Sequence, residues 1–241
     1  MIGQRVQLQG IPKRIVSLVP SQTEYLIDLG APVVARTNFC IHPSNLIEEI
    51  PKVGGTKNFR IDKIRKLEPD LIVCNKEENH KAGVDQLTDE FPVWISNIEK
   101  VSDAMTMMHK LGVITNREQK ASSIISSCQR ALTKVSNTIA GTALYLIWSD
   151  PIMIAGRGTF INSMLQHIGY QNLARESRYP KVELSEIEDL NPDHLLLSSE
   201  PYSFNAQHMA FFQAKLPSSN VQLVDGELFS WYGSRLRLWE S

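Results

Sequence analysis

Two ten-residue stretches of this 241-residue chain repeat each other at an offset of 123 positions, and the repeat restricts the possible folds sharply. Ile64-Arg-Lys-Leu-Glu-Pro-Asp-Leu-Ile-Val73 and Ile187-Glu-Asp-Leu-Asn-Pro-Asp-His-Leu-Leu196 share Ile, Leu, Pro and Asp in register. Each predicts a short helix, a proline turn and a buried strand, because proline cannot continue a helix and a short Val/Ile/Leu run suits a sheet interior. A weaker pair, Pro20–Gly30 and Gly158–Gly169, predicts a helix that follows a strand and stops at glycine. A duplicated unit with unequal loops means two related lobes.

Strand-like runs fall at Arg14–Val19, Val33–Arg36, Leu71–Cys74 and Val93–Ile95, then at Ala143–Ile147, Leu195–Ser198 and Val221–Val224. Their alternation with helical stretches is the mark of parallel sheets covered on both faces. Between the halves, Trp94 to Asp150 contains no proline, and Ala121, Ile124, Ile125, Cys128, Leu132, Val135 and Ile139 recur at helical spacing. Thr115 and Asn116 can cap its start and Gly141 follows its end, giving about 23 helical residues, roughly 35 Å. The expected architecture is α/β: two small lobes, 1–114 and 141–241, joined by one long backbone helix, 115–140, with a ligand cleft between the lobes. Ligands of such sheets sit outside the carboxyl ends of the strands, so the loops there are the segments to inspect.

The charge balance narrows the partners. With 25 Lys+Arg against 26 Asp+Glu, the formal charge is −1, and no basic run supplies the electrostatic attraction that nucleic acid needs. No apolar run approaches the roughly 18 residues of a bilayer span, so a soluble protein is expected. The polar start, Met1 to Gly10, lacks the pattern of a secretory leader, which predicts a cytoplasmic location. Three widely spaced cysteines form neither a disulfide framework nor a zinc pattern: Cys74 and Cys128 read as core, and Cys40 stands alone in a loop.

Several loops carry residue types suited to recognition. Pro20-Ser21-Gln22 opens a helix whose free N–H groups attract an acceptor, and Gly156-Arg157-Gly158-Thr159-Phe160 places a cation between glycines before another helix. Neither is a dinucleotide fingerprint or a P-loop. Phe39, Phe59, Trp148, Phe160, Tyr179, Tyr202, Trp231 and Tyr232 lie in expected loops, where flat faces suit a large planar or apolar ligand. The six histidines lack metal-site spacing; His42 and His80, after strand-like runs, remain possible metal or cofactor ligands. No nucleophile motif is present, and no catalytic residue is assigned. Glu77, Glu78 and Glu200 keep open an enzyme acting on a bound cofactor, with Glu78 or Glu200 as acid or base.

Taken in order, Arg14–Gly30, Cys40-Ile-His-Pro43, Val53-Gly-Gly-Thr56, Ile64–Val73 and Leu190-Asn-Pro-Asp193 resemble the cobalamin- and siderophore-binding proteins of ABC importers, the helical-backbone substrate-binding class. The resemblance spans almost the whole chain and is closest to the cobalamin-binding branch. It implies a non-enzymatic binding protein for ABC-type uptake or salvage, with a corrinoid as ligand and no required cofactor or metal. The same resemblance implies a monomer whose partner is an ABC permease and whose place is the periplasm. The implied ligand contacts are Ser21, Gln22, Phe39, Cys40, His42, Thr56, Lys57, Asn58, Phe59, Trp148, Arg157, Gly158, Thr159, Phe160, Glu200 and Tyr202; Trp231 joins them as a loop aromatic. Relatives often place a stacking aromatic where this chain has Thr56. They also present one acid per lobe to the permease: Asp62 matches the first, whereas the second register falls on Ser185 beside Glu186. A ferric siderophore or haem is the alternative ligand, for which Arg157, Arg178, Tyr179 and Tyr202 would serve.

Overall fold

The computed structural model describes residues 7–139 and 141–240. The described residues divide into two compact units: the first takes 7–98, 102–129 and 232–237, and the second 99–101, 130–139, 141–231 and 238–240.

The first unit carries a four-stranded parallel sheet in the order β2-β1-β3-β4, built from β1 (Ile15–Ser17), β2 (Val33–Arg36), β3 (Leu71–Asn75) and β4 (Val93–Ser96). Around it run α1 (Pro20–Leu29), α2 (Ser44–Ile47), α3 (Ile61–Lys66), α4 (Lys81–Thr88) and α5 (Val101–Ile114). Val16, Leu18, Ala35, Ile64, Ile72, Cys74 and Leu87 form its core, the continuous apolar burial expected of strands covered on both faces. Helix α6 (Glu118–Val135) follows, contributing to the first unit up to Gln129 and to the second from Arg130.

The second unit holds a five-stranded sheet of β5 (Gly141–Ser149), β6 (Ile152–Ile154), β7 (Tyr170–Asn172), β8 (His194–Ser198) and β9 (Asn220–Val224). The path is β6-β5-β8-β9, β7 pairs with β5, and β6 alone runs antiparallel. Its helices are α7 (Phe160–Ile168), α8 (Leu184–Leu190), α9 (Ala206–Lys215) and α10 (Gly226–Ser230). Leu144, Leu146, Ile187, Leu195, Leu197 and Phe212 fill the core.

The repeat has a physical role in each unit. Asp70, after the first Pro, accepts the N–H groups of Lys13 (2.7 Å) and Arg14 (2.8 Å), tying the start of β1. Asp193, after the second Pro, accepts the N–H (2.7 Å) and hydroxyl (2.8 Å) of Thr142 at the start of β5. The weaker correspondence is also structural: α1 and α7 both end on a left-handed glycine, Gly30 and Gly169.

The backbone helix is shorter than its expected 23 residues, with 18 from Glu118 to Val135. Asn116 adopts φ 55° and the Arg117 N–H closes onto Gly112 O at 2.8 Å, so the chain turns before α6 begins. At the other end Asn137 adopts φ 53° and donates its N–H to His167 O, diverting the backbone before Ile139. Strands β6 and β7, three residues each, went unread in the sequence.

Candidate functional site

Each unit presents the loops that leave the carboxyl ends of its strands. In the first unit these loops stand on a buried amide network. The Gln22 and Asn75 side-chain amides both donate to Ser96 Oγ, at 2.6 and 3.1 Å, and that hydroxyl donates to Cys74 O. Asn79 donates to Leu18 O (3.0 Å) and Thr56 O (2.9 Å) and accepts the Asn75 N–H (2.8 Å). The loops after β1, β3 and β4 are therefore stitched to the Gly54–Phe59 segment by polar groups that have little access to water. Asn75, Asn79 and Ser96 were missed in the sequence; the available signal was a pair of asparagines bracketing the turn after a buried strand.

The expected contact residues of this unit separate by depth. Ser21, Gln22, Cys40 and Thr56 are buried. Phe59 is half-buried and packs against the core, with its ring under Gly83. Phe39, Lys57 and Asn58 are exposed, and His42 is half-buried. Lys57 Nζ donates to Glu77 O at 3.2 Å. The tight Gly54-Gly55 turn is needed because a side chain at Gly54, with φ 116°, would press on Asn58 O at 2.8 Å. Asp62 is exposed in the first turn of α3, and His80 is exposed just before α4.

The second unit gathers aromatic rings at its strand ends. Trp148, at 39% exposure, donates its indole N–H to Asp150 O at 3.0 Å and meets Tyr202 edge-on at 5.4 Å. Tyr202 packs on Phe204 (4.8 Å) and His208 (5.4 Å), and its hydroxyl lies 2.9 Å from His208 Nε2. A half-exposed Trp held by a Tyr that is itself fixed by a His is a rigid apolar face of low conformational entropy.

The glycine-flanked loop lies in the same unit. Arg157 and Gly158 are exposed, whereas Thr159 and Phe160 are buried. Thr159 Oγ1 caps α7 by accepting the Asn162 N–H at 3.1 Å. Arg178 braces the loop, its N–H donating to Arg157 O and its guanidinium to Gly158 O, both at 2.8 Å. Glu200 spends its carboxylate internally: Oε1 accepts from Ser230 Oγ (2.6 Å) and from the Trp231 indole N–H (2.9 Å), and burial raises its pKa above the ordinary range. Trp231 and Tyr232 are buried, so these two loop aromatics face inward. Glu186 closes a capping box on α8 by accepting the Glu183 N–H at 2.7 Å.

Among the described residues, no group of three or more His, Cys, Asp or Glu is placed to hold a metal ion, and no helix is long and apolar enough to cross a membrane. The three cysteines are free and buried.

Comparisons with known proteins bear on this arrangement. A family described as periplasmic binding protein matches residues 15–215. The uncharacterised ABC transporter substrate-binding lipoprotein YvrC of Bacillus subtilis (strain 168) is 29% identical over 210 residues, covering 80% of this chain and 66% of that one. Among solved structures, the periplasmic vitamin B12 binding protein BtuF of Vibrio cholerae superposes with a TM-score of 0.83 at 21% identity, covering 95% and 94% of the two chains. The periplasmic heme-binding protein RhuT from Roseiflexus sp. RS-1 superposes with a TM-score of 0.80 at 17% identity, covering 95% of each.

Proposed function

The chain belongs to the periplasmic binding protein family, and on that premise we propose that it binds cobalamin or a related corrinoid and hands it to an ABC permease. The family consists of solute-binding components of transport systems, which are not enzymes; the carboxylate-centred enzyme alternative is set aside with it. The expected cytoplasmic location finds no support, since the relatives are named periplasmic or lipoprotein, and we place this protein outside the cytoplasm as well.

The observation that carries the corrinoid reading is the Trp148–Tyr202 pair, a half-exposed aromatic face held rigid at the carboxyl ends of β5 and β8. Exposed Phe39 and Ile41 offer apolar surface in the loop after β2 of the first unit. A broad, largely apolar macrocycle with neutral amide edges suits such faces. Exposed polar groups for orientation are Lys57 and Asn58 in the first unit and Arg157 in the second. Thr56, where the resemblance implies a stacking aromatic, is small and buried and offers no such face. On the permease side, Asp62, exposed in the first turn of α3, is the candidate of the first unit, and Glu186, already bound to its own helix start, is the weaker candidate of the second.

A second reading, haem or a ferric siderophore, is favoured by one observation: the exposed Arg157 beside the start of α7, suited to an anionic edge. Isothermal titration with cyanocobalamin, cobinamide, haemin and a ferric siderophore separates the two. Corrinoid heat that weakens roughly tenfold to a hundredfold in Trp148→Ala, about 1.5–3 kcal/mol of lost burial, supports the first reading. Haemin binding alone that is lost in Arg157→Ala replaces it with the second.

A further inference from the structure

The loop from Thr37 to Pro43 in the first unit is built over a buried cation. Arg36, the last residue of β2, is only 3% exposed. Its Nε donates to Ile47 O at 2.9 Å, and one terminal nitrogen donates to Cys40 O at 2.9 Å and Thr37 O at 3.3 Å. The unit's other buried arginine, Arg235, is neutralised by the Glu24 carboxylate, but among the described residues no carboxylate pairs with Arg36. An arginine cannot shed its proton, so three carbonyl dipoles from successive parts of one segment must offset its burial.

The segment has a second anchor. The Cys40 thiol is fully buried, with its sulfur 3.1 Å from both Thr23 Oγ1 and Thr37 Oγ1. Its neighbours on either side are the reverse: Phe39 is 59% and Ile41 49% exposed. Two such neighbours make a preformed face only where a device fixes the backbone between them. Arg36 supplies it by seizing the carbonyls before, at and after Cys40.

We propose that Arg36 is a positioning residue, whose guanidinium clamps the Thr37–Ile47 segment so that Phe39 and Ile41 stand as a preformed apolar platform for ligand. This rests on the reading that the loop contacts the ligand. The arginine does not touch ligand; it removes the entropic cost of ordering the loop at the moment of binding. Lysine cannot replace it, because a single ammonium lacks the fork that reaches three carbonyls at once.

Two measurements test the clamp. The first needs no ligand: alkylation of the cysteines in the folded protein, with buried Cys74 as an internal control for unfolding of the unit. In Arg36→Gln, Cys40 is expected to react at least about tenfold faster than in the wild type while Cys74 stays protected, the signature of a local opening. Unchanged Cys40 protection overturns the proposal. If Cys40 and Cys74 become reactive together in Arg36→Gln, Arg36→Lys decides: Cys40 reactive alone supports the clamp, and joint or absent reactivity overturns it. The second measurement is titration with cyanocobalamin of wild type, Phe39→Ala, Arg36→Gln and the double variant. The affinity lost on removing Phe39 should largely vanish once Arg36 is gone, because a loosened loop no longer presents the ring; additive losses overturn the platform. A wild type that takes no cyanocobalamin refutes the corrinoid reading, while the alkylation result still decides the clamp.

Discussion

Glu200 sits under opposing demands: burial, the largest influence, raises its pKa above 4.5, while hydrogen bonds from Ser230 and Trp231 pull it down. Because the folded value lies above the unfolded one, the folded state holds the proton more tightly. Stability therefore falls as the pH rises from about 4.5 through the raised value and levels off beyond it. Glu200→Gln keeps an oxygen for both donors and abolishes that slope. Urea midpoints of wild type and variant should lie close near about pH 4, where both side chains are neutral, and separate in favour of the variant towards about pH 7; a constant difference would refute the assignment. The same residue shows how far a site can be read from sequence. Its position after a strand was legible, but the inward turn of its carboxylate was set by Ser230 and Trp231, thirty places on. Trp231 and Tyr232 likewise read as loop aromatics, since nothing in their local spacing distinguishes a ring facing solvent from one that closes a core.

At the scale of elements, the twin aspartates act as strand ties rather than as chemistry. Asp70→Ala should cost about 1 kcal/mol, at the low end because water can replace part of the bond, and should speed hydrogen exchange at the Lys13 and Arg14 amides. Asp193 adds an acid dependence: the Thr142 N–H is the chief cause of its lowered pKa, so its contribution is present above 3.8 and lost as the pH falls through the lowered value. Helices α5 and α6 supply a sharper test. A methyl group on Gly112 would overlap that of Ala121, so the two helices approach there at backbone distance. Helix propensity alone favours Gly112→Ala by up to about 1 kcal/mol, whereas overpacking costs about 1–3 kcal/mol. Net destabilisation on thermal melting is expected, and a raised melting temperature would show that the helices can part. Seven strands were legible from their Val/Ile/Leu runs. β6 and β7 were not, because three residues beside a proline or a capping glycine are too few to establish a period.

On the scale of the whole molecule, the first unit is completed by a segment from far along the chain. Tyr232 and Leu236 are buried there, and Arg235 forms a two-bonded pair with Glu24, both contacts at 3.1 Å. Burial remains the largest influence on Glu24 and raises its pKa even beside the guanidinium. Arg235→Met strands that carboxylate and should destabilise the protein by about 3–5 kcal/mol, and adding Glu24→Gln should restore much of the loss, as read from denaturant midpoints. An unrecovered double variant would show that packing, rather than charge, dominates. The two-lobe plan was legible in the repeat, but this return was not: a pair separated by 211 positions leaves no periodic trace in the sequence. It also sets a timetable. During synthesis, most of the first unit leaves the ribosome roughly a hundred residues before Tyr232–Arg237 can join it, a wait on the order of 5–20 s at about 5–20 residues per second. Through that interval the place beside Glu24 that Arg235 fills stands open to chaperones and proteases, so the unit translated first waits for a segment made after most of the second.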